Sequence, residues 1–177
     1  TGERFEDGRP RVSDDILDRM QMVTLEEAWA VLRNNRFNFQ FEGDWQVLDS
    51  NAVLVGRALT ATFVPGRPDI HGQFDKQGQN QGRSGSQNSW PVDMLQQGDV
   101  YVADQFGAHL DGPTIGDNVG NAIYANSGRG FVYDGAVRDG GVIFIPPQLA
   151  QLVVETSEVV RLRDMFGHLR LSEGVYT

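Results

Sequence analysis

Two short groups in the sequence combine residue types able to handle an acidic substrate. Gly116-Asp117-Asn118-Val119 stands where a glycine-punctuated loop, residues 112–117, gives way to a helix expected from Asn118 to about Asn126. The free amides of a helix's first turn cradle carboxylates and phosphates. Arg138-Asp139 follows a strand-like segment, Phe131–Tyr133, closed by Asp134-Gly135. The C-terminal ends of strands are where α/β folds place ligands. A guanidinium fork and a carboxylate beside an anion cradle suit an acidic substrate bridged by a metal. Taken singly, each group has a plainer explanation. Asp117 is a good helix cap, and Arg138-Asp139 makes a common surface ion pair of little energetic consequence.

The elements that must position these groups read as mixed α/β. A polar arm, residues 1–12, precedes Ser13, which can cap a helix carrying Asp14 and Asp15 in its first turn and Ile16, Leu17 and Met20 as a stripe. Thr24-Leu-Glu-Glu27 is a capping box for a second helix to about Leu32. Phe37, Phe39, Phe41 and Trp45 suggest a loop or short strand anchored by aromatics. Residues 53–64 read as a strand ended by Pro65-Gly66, and the Gly/Gln/Ser/Asn-rich stretch 66–88 as a loop, either mobile or part of an active site. Trp90-Pro91 starts a short helix through about Gln96. Gly98-Asp99 is a turn, and Val100–Ala103 a strand. After Arg138-Asp139 come a strand at Val142–Ile145, Pro146-Pro147, and a long final helix carrying Leu149, Leu152, Val153, Val160, Leu162, Met165, Phe166 and Leu169.

Bulk properties narrow the chemistry. The 177 residues suffice for one domain. Fifteen Lys and Arg against 24 Asp and Glu give a net charge of −9, which disfavours non-specific nucleic-acid binding. No apolar run approaches bilayer length, so no membrane partner is expected. Cysteine is absent, and His71, His109 and His168 are scattered, which argues against thiolate chemistry and a multi-histidine zinc site. A hard cation on carboxylate oxygens is the metal these residues suit. The chain starts at Thr1 without a signal-peptide pattern. A cytoplasmic protein is expected, with a processed secreted form as the alternative.

Spacing adds a resemblance. Twenty residues separate Asp117 from Arg138, and Asp139 comes next. This resembles the Gly…Glu/Asp–(twenty residues)–Arg-Asp pattern of the RraA-like and class II pyruvate aldolase family. The flanks agree: Gly98-Asp99-Val-Tyr-Val-Ala-Asp104, Val132-Tyr-Asp-Gly-Ala-Val-Arg-Asp139, Leu17-Asp-Arg19 and Val55-Gly-Arg-Ala58 each resemble family segments in the family's order. The resemblance implies a phosphohistidine-domain-like β/β/α swivelling fold with N-terminal helices and a long C-terminal helix. It implies a single domain over 1–177 and a homotrimer or hexamer. By position, Asp139 would be the direct ligand of Mg2+ or Mn2+, and Asp117 would hold a water on that ion. Arg138 would contact the keto oxygen of a small α-keto acid, and the amides of Asn118 and Val119, following Gly116, would take its carboxylate. The implied reaction is retro-aldol cleavage of a 4-hydroxy-4-methyl-2-oxoglutarate type substrate, or oxaloacetate decarboxylation, through a pyruvate enolate.

Three other readings compete. RraA proper is similar but non-catalytic, a protein-binding regulator of ribonuclease activity; it keeps no Asp at the metal position, so Asp139 favours the enzyme branch. A demethylmenaquinone methyltransferase, a label relatives often carry, is disfavoured because no glycine-rich S-adenosylmethionine loop follows the first strand. Gln87-Asn88-Ser89-Trp90 and the polar stretch before it could line a pocket for a sugar-derived acid, or simply cap a helix. The chain departs from the family after Asp139. Gly140-Gly141 runs directly into Val142-Ile-Phe-Ile-Pro-Pro147, where the family continues for tens of residues, so a missing segment is expected at about 140–141.

Overall fold

The computed structural model describes residues 2–39, 53–105, 115–137, 158–163 and 168–173. Near the N-terminus, local signals decide the structure. Ser13 lies in the extended region before α1 (Asp14–Met20), whose acidic first turn complements the helix dipole, although the serine side chain makes no capping bond. α2 (Leu25–Asn34) opens on a complete capping box. The Glu27 amide donates to Thr24 Oγ1 (3.2 Å), and the Thr24 amide donates to Glu27 Oε2 (2.9 Å). Phe37 and Phe39 just beyond are exposed, so neither serves as an aromatic anchor; Phe41 and Trp45 lie outside the described residues.

Five strands form one sheet in the order β1-β2-β3-β4-β5. β1 (Arg57–Thr62), β2 (Asp99–Asp104) and β3 (Phe131–Val137) are parallel. Parallel neighbours need long crossovers, and helices occupy them here. α3 (Pro68–Asn80) and α4 (Trp90–Asp93) lie between β1 and β2, and α5 (Asp117–Ser127) between β2 and β3. One face of the sheet presents Leu59, Tyr101, Ala103 and Tyr133 to Val92 and Leu95 around α4 and to Ile115 and Ile123 around α5, forming the main core. The opposite face buries Val100 and Val132, with Val102 beside them. Along edge strand β1 only Leu59 is buried, so alternation is plain there and blurred in central β2.

Three expectations change. The stretch 66–88 is largely helix α3 rather than a loop. Pro68 occupies its first turn with Asp69, and Ile70, Phe74 and Gly78 recur at four-residue spacing along one face. Dense Gly and Gln concealed this pattern, since glycine costs a helix about 1 kcal/mol relative to alanine. Gly78 is needed all the same, because a Cβ there would run into the six-membered ring of Trp90.

β3 does not close at Asp134-Gly135 but continues to Val137. There, Gly135, Ala136 and Val137 pair antiparallel with Leu162, Arg161 and Val160 of β4 (Glu158–Arg163). The expected final helix is absent at β4 and at β5 (His168–Glu173), which pair antiparallel with each other. Adjacent Val159-Val160 favours a strand, and His168-Leu-Arg-Leu-Ser-Glu173 alternates at period two, a pattern that also supplies some apolar residues at helical spacing. The rest of the expected helix, the strand at Val142–Ile145 and the junction Gly140–Gly141 lie outside the described residues.

At the N-terminal edge of the sheet, Asp99 is fully buried and held by two arginines. Arg9 Nη1 donates to Asp99 Oδ2 (3.0 Å), Arg57 Nε to Oδ1 (3.3 Å), and the Gln96 amide to Oδ2 (3.0 Å). Arg57 also donates to the Val12 carbonyl and to Asp14 (each 2.8 Å) and to the Gln97 carbonyl. Phe5 lies beneath the guanidinium groups of Arg9 and Arg57, at 5.2 and 5.9 Å. Gly98 adopts φ +85 beside the Arg57 head, a conformation and a space that exclude a side chain.

Asp99→Ala leaves two largely buried guanidinium groups without their shared counterion. It is expected to cost about 3 kcal/mol in urea denaturation and to expose residues 2–12 to limited proteolysis. Asp69→Ala, in the exposed Arg67–Asp69 pair, should leave the midpoint unchanged. Gly78→Val should cost about 1–3 kcal/mol and alter Trp90 fluorescence; an unchanged spectrum and midpoint would sink the proposed contact.

Candidate active site

The C-terminal edge of the parallel strands is where α5 begins and β3 ends. Thr62, Asp104 and Asp134 stand in register across the three strands. The row is closed by the Phe63 amide donating to the Asp104 carbonyl (2.8 Å) and the Gln105 amide to the Asp134 carbonyl (2.7 Å). α5 is tied at its other end to the opposite edge. The Gly98 amide donates to the Ser127 carbonyl (2.8 Å), and Gly128 ends the helix in the left-handed conformation. Its eleven residues run back about 16 Å at 1.5 Å per residue, which brings the helix N-terminus to the C-terminal edge. Ile115, 1% exposed and part of the main core, fixes the backbone just before Gly116.

The predicted residues fall as follows. Gly116 is the N-cap of α5, extended at φ −122, ψ −167, and Asp117 is the first helical residue. Both are half-buried. Asp117 Oδ1 accepts from the Asn118 amide (2.7 Å), so the local cap and the anion cradle share a donor. A ligand carboxylate seated there must compete with Asp117 for Asn118 or use the neighbouring amide of Val119, whose side chain packs against the core. The next amide, Gly120, is committed to the Gly116 carbonyl (2.9 Å). Arg138 and Asp139 lie outside the described residues; the last residue before them, Val137, ends β3. The structure thus brings Gly116, Asp117, Asn118 and the end of β3 to one edge. Among the described residues, no three His, Cys, Asp or Glu side chains cluster as a preformed metal cage.

Behind this edge lies a buried polar pair that the sequence reading passed over. The Tyr133 hydroxyl donates to Gln105 Oε1, and Gln105 is 4% exposed. Gln105 shares the period-two face of Tyr101 and Ala103, the signal that would have placed it inside. Burial, reinforced by neighbouring Tyr133, pushes the Tyr101 phenol well above its ordinary pKa, so it stays neutral and adds no charge behind the site.

The sequence matches the RraA-like family (Aldolase/RraA) over residues 12–143. The chain belongs to that family. Among solved structures, it is similar to Streptomyces coelicolor RraAS2, described as an unusual member of the RNase ES inhibitor RraA protein family. The TM-score is 0.56 at 23% sequence identity, and the match covers 73% of this chain and 57% of that one. At that identity the likeness establishes a shared fold. No curated protein matches the chain significantly. The RraA-like match includes Gly116-Asp117 and Arg138-Asp139, while residues 144–177, with β4 and β5, fall beyond it. Among the described residues, no helix is long and apolar enough to cross a membrane.

Asp117→Ala removes a first-turn carboxylate and is expected to cost only about 0.3–1 kcal/mol of stability, read as a small drop in thermal midpoint. A larger loss would make Asp117 a structural residue and remove it from the candidate site.

Proposed function

We propose that the chain is a divalent-metal-dependent carbon–carbon lyase acting on a small α-keto acid. The observation that carries this reading is the start of α5, with Gly116 and Asp117, at the C-terminal edge of the parallel strands of an RraA-like fold; Arg138-Asp139 follow β3 in the sequence. Asp139 is the proposed ligand of Mg2+ or Mn2+, with Asp117 holding a water of its shell. Carboxylates without sulfur or clustered imidazole fit a hard cation, and Mg2+ keeps several waters rather than requiring an all-protein cage. When bound, the ion supplies a Lewis acid for the keto and carboxylate oxygens of the substrate.

The chain's own residues contribute binding and charge stabilisation. The Val119 amide and the Asn118 amide, shared with Asp117, hold the substrate carboxylate at the positive end of the helix. Arg138 donates to the keto oxygen and stabilises the negative charge that develops on it. For 4-hydroxy-4-methyl-2-oxoglutarate, the C4 hydroxyl loses its proton and the C3–C4 bond breaks. One pyruvate departs as a ketone, and the electron pair stays on the other as its enolate, which is protonated at C3. For oxaloacetate, the same bond breaks with loss of carbon dioxide.

A protein-binding regulator of ribonuclease activity is the second reading, favoured by the fold likeness to RraAS2 and by a net charge of −9 that suits a basic partner surface. The exposed apolar residues Ile16, Met20, Trp29 and Leu32 on α1 and α2 support the expected homotrimer or hexamer.

With Mg2+ or Mn2+ supplied, the protein should release pyruvate from 4-hydroxy-4-methyl-2-oxoglutarate or oxaloacetate and lose that activity in EDTA. Asp139→Ala should abolish metal binding, and Arg138→Ala should lower kcat about 10²–10³-fold. No turnover across a panel of 2-keto acids, together with recovery of a ribonuclease in a pull-down by metal-free protein, would reverse the order of the two readings.

A further inference from the structure

A pocket of about 410 Å3 lies where the C-terminal end of β1 meets α3 and the start of α4. That volume falls in the range of small-molecule sites. Its charge runs against that of the molecule. In a chain of net charge −9, the lining includes Arg67, His71 and Arg83 and no carboxylate side chain. Arg67 already has a counterion, since it pairs with Asp69 (2.5 Å), and His71 Nε2 stands 3.3 Å from Asp75 Oδ2. Arg83 has no carboxylate partner among the described residues. It is nevertheless held in place: Nε donates to Gln81 Oε1 (3.1 Å), Nη1 lies 3.5 Å from the Trp90 carbonyl, and the guanidinium stands 5.9 Å from the centre of the Trp90 ring. Its Nη2 donor makes no bond within the described chain.

Trp90 supplies a second unspent donor. The indole N–H of Trp90, itself a lining residue, is buried without an acceptor among the described residues. Buried donors left unsatisfied are costly and uncommon in folded proteins. The pocket therefore combines one uncommitted guanidinium edge, one unsatisfied indole N–H, the amide of Gln77, and an apolar wall from Phe63, Phe74 and Met94.

We propose that this pocket binds a small hydroxylated monocarboxylate of the aldonic-acid type, its carboxylate on Arg83 and Trp90 and its hydroxyls on Gln77 and Gln81. A planar guanidinium held by stacking matches a carboxylate and presents it with a fixed fork. One unpaired cation selects one negative charge over two. Amides beside an apolar wall suit a carbon chain carrying hydroxyls more than a bare aliphatic acid. The inference does not rest on the lyase reading, because it uses neither metal nor Arg138-Asp139.

The test is calorimetric titration of the 177-residue chain with D-gluconate in the presence of EDTA. Saturable binding is expected, with sorbitol and hexanoate each at least about tenfold weaker, since charged hydrogen bonds carry that much discrimination. Arg83→Met should weaken gluconate at least about tenfold, and Trp90→Phe, which keeps the ring but removes the N–H, about threefold or more. Asp139→Ala should leave gluconate binding intact. No saturable binding up to roughly 10 mM, equal binding of sorbitol, or binding lost in Asp139→Ala but retained in Arg83→Met would each overturn the proposal.

Discussion

A buried carboxylate is expensive unless every lone pair is answered, and Asp99 is answered from three directions. Arg9 arrives from the N-terminal arm, Arg57 from β1, and the Gln96 amide from the turn that starts β2. Removing charge from water costs several kcal/mol per ion, recovered only with good geometry and additional hydrogen bonds. The arm, the edge strand and the central strand must therefore assemble together. The arm's own fold serves this end: Arg4 and Pro10 form an antiparallel bridge, and Asp7, drawn below its ordinary pKa by the Arg9 amide and then by its side chain, fixes Arg9 as it reaches Asp99. Desolvation works against the charge of Arg9, but hydrogen bonds to Asp7 and Asp99 overcome it and leave its pKa raised.

This clamp also assigns different work to the two edges of the sheet. The N-terminal edge is closed by ion pairs and by the Gly98–Ser127 backbone bond that anchors the end of α5. With that end fixed, the rigid helix delivers Gly116 and Asp117 to the opposite edge. Ile115 locks the entry into the helix by filling the core. Site residues at Gly116–Val119 thus need no special stability of their own, because the elements on both sides of them are pinned elsewhere.

What the sequence disclosed depended on how local the cause was. The capping box at Thr24–Glu27, the glycine turn before β2, and the start of α5 at Gly116-Asp117 are set by neighbouring residues and were legible. So was the spacing from Asp117 to Arg138-Asp139, which is why the RraA-like family could be recognised. The Asp99 clamp was not legible, because its partners lie 90 and 42 positions away in sequence, and only the fold unites them. α3 was hidden because its glycines disguise a helix, one of them, Gly78, being the residue that lets Trp90 approach. β4 and β5 were hidden because apolar residues at alternating positions also satisfy part of a helical pattern, and pairing with β3 decides between the two. In the candidate site, Gly116, Asp117 and Asn118 are described and Arg138-Asp139 are not, so what the structure shows of it is the start of α5.

Charge distribution links these edges to the chemistry proposed for them. A chain with net charge −9 repels small anions at long range, so an acidic ligand must be attracted by local fields. At the N-terminal edge the arginines are spent on Asp99 and create no such field. At the C-terminal edge the first-turn amides of α5 point a partial positive charge outward, and Arg83 keeps a guanidinium edge without a carboxylate partner among the described residues. Both effects act over a few ångströms and are screened within about 8–10 Å at ordinary salt. Recognition of a small carboxylate here must therefore come from close, directional donors rather than from electrostatic steering, and selectivity should follow the number and placement of those donors.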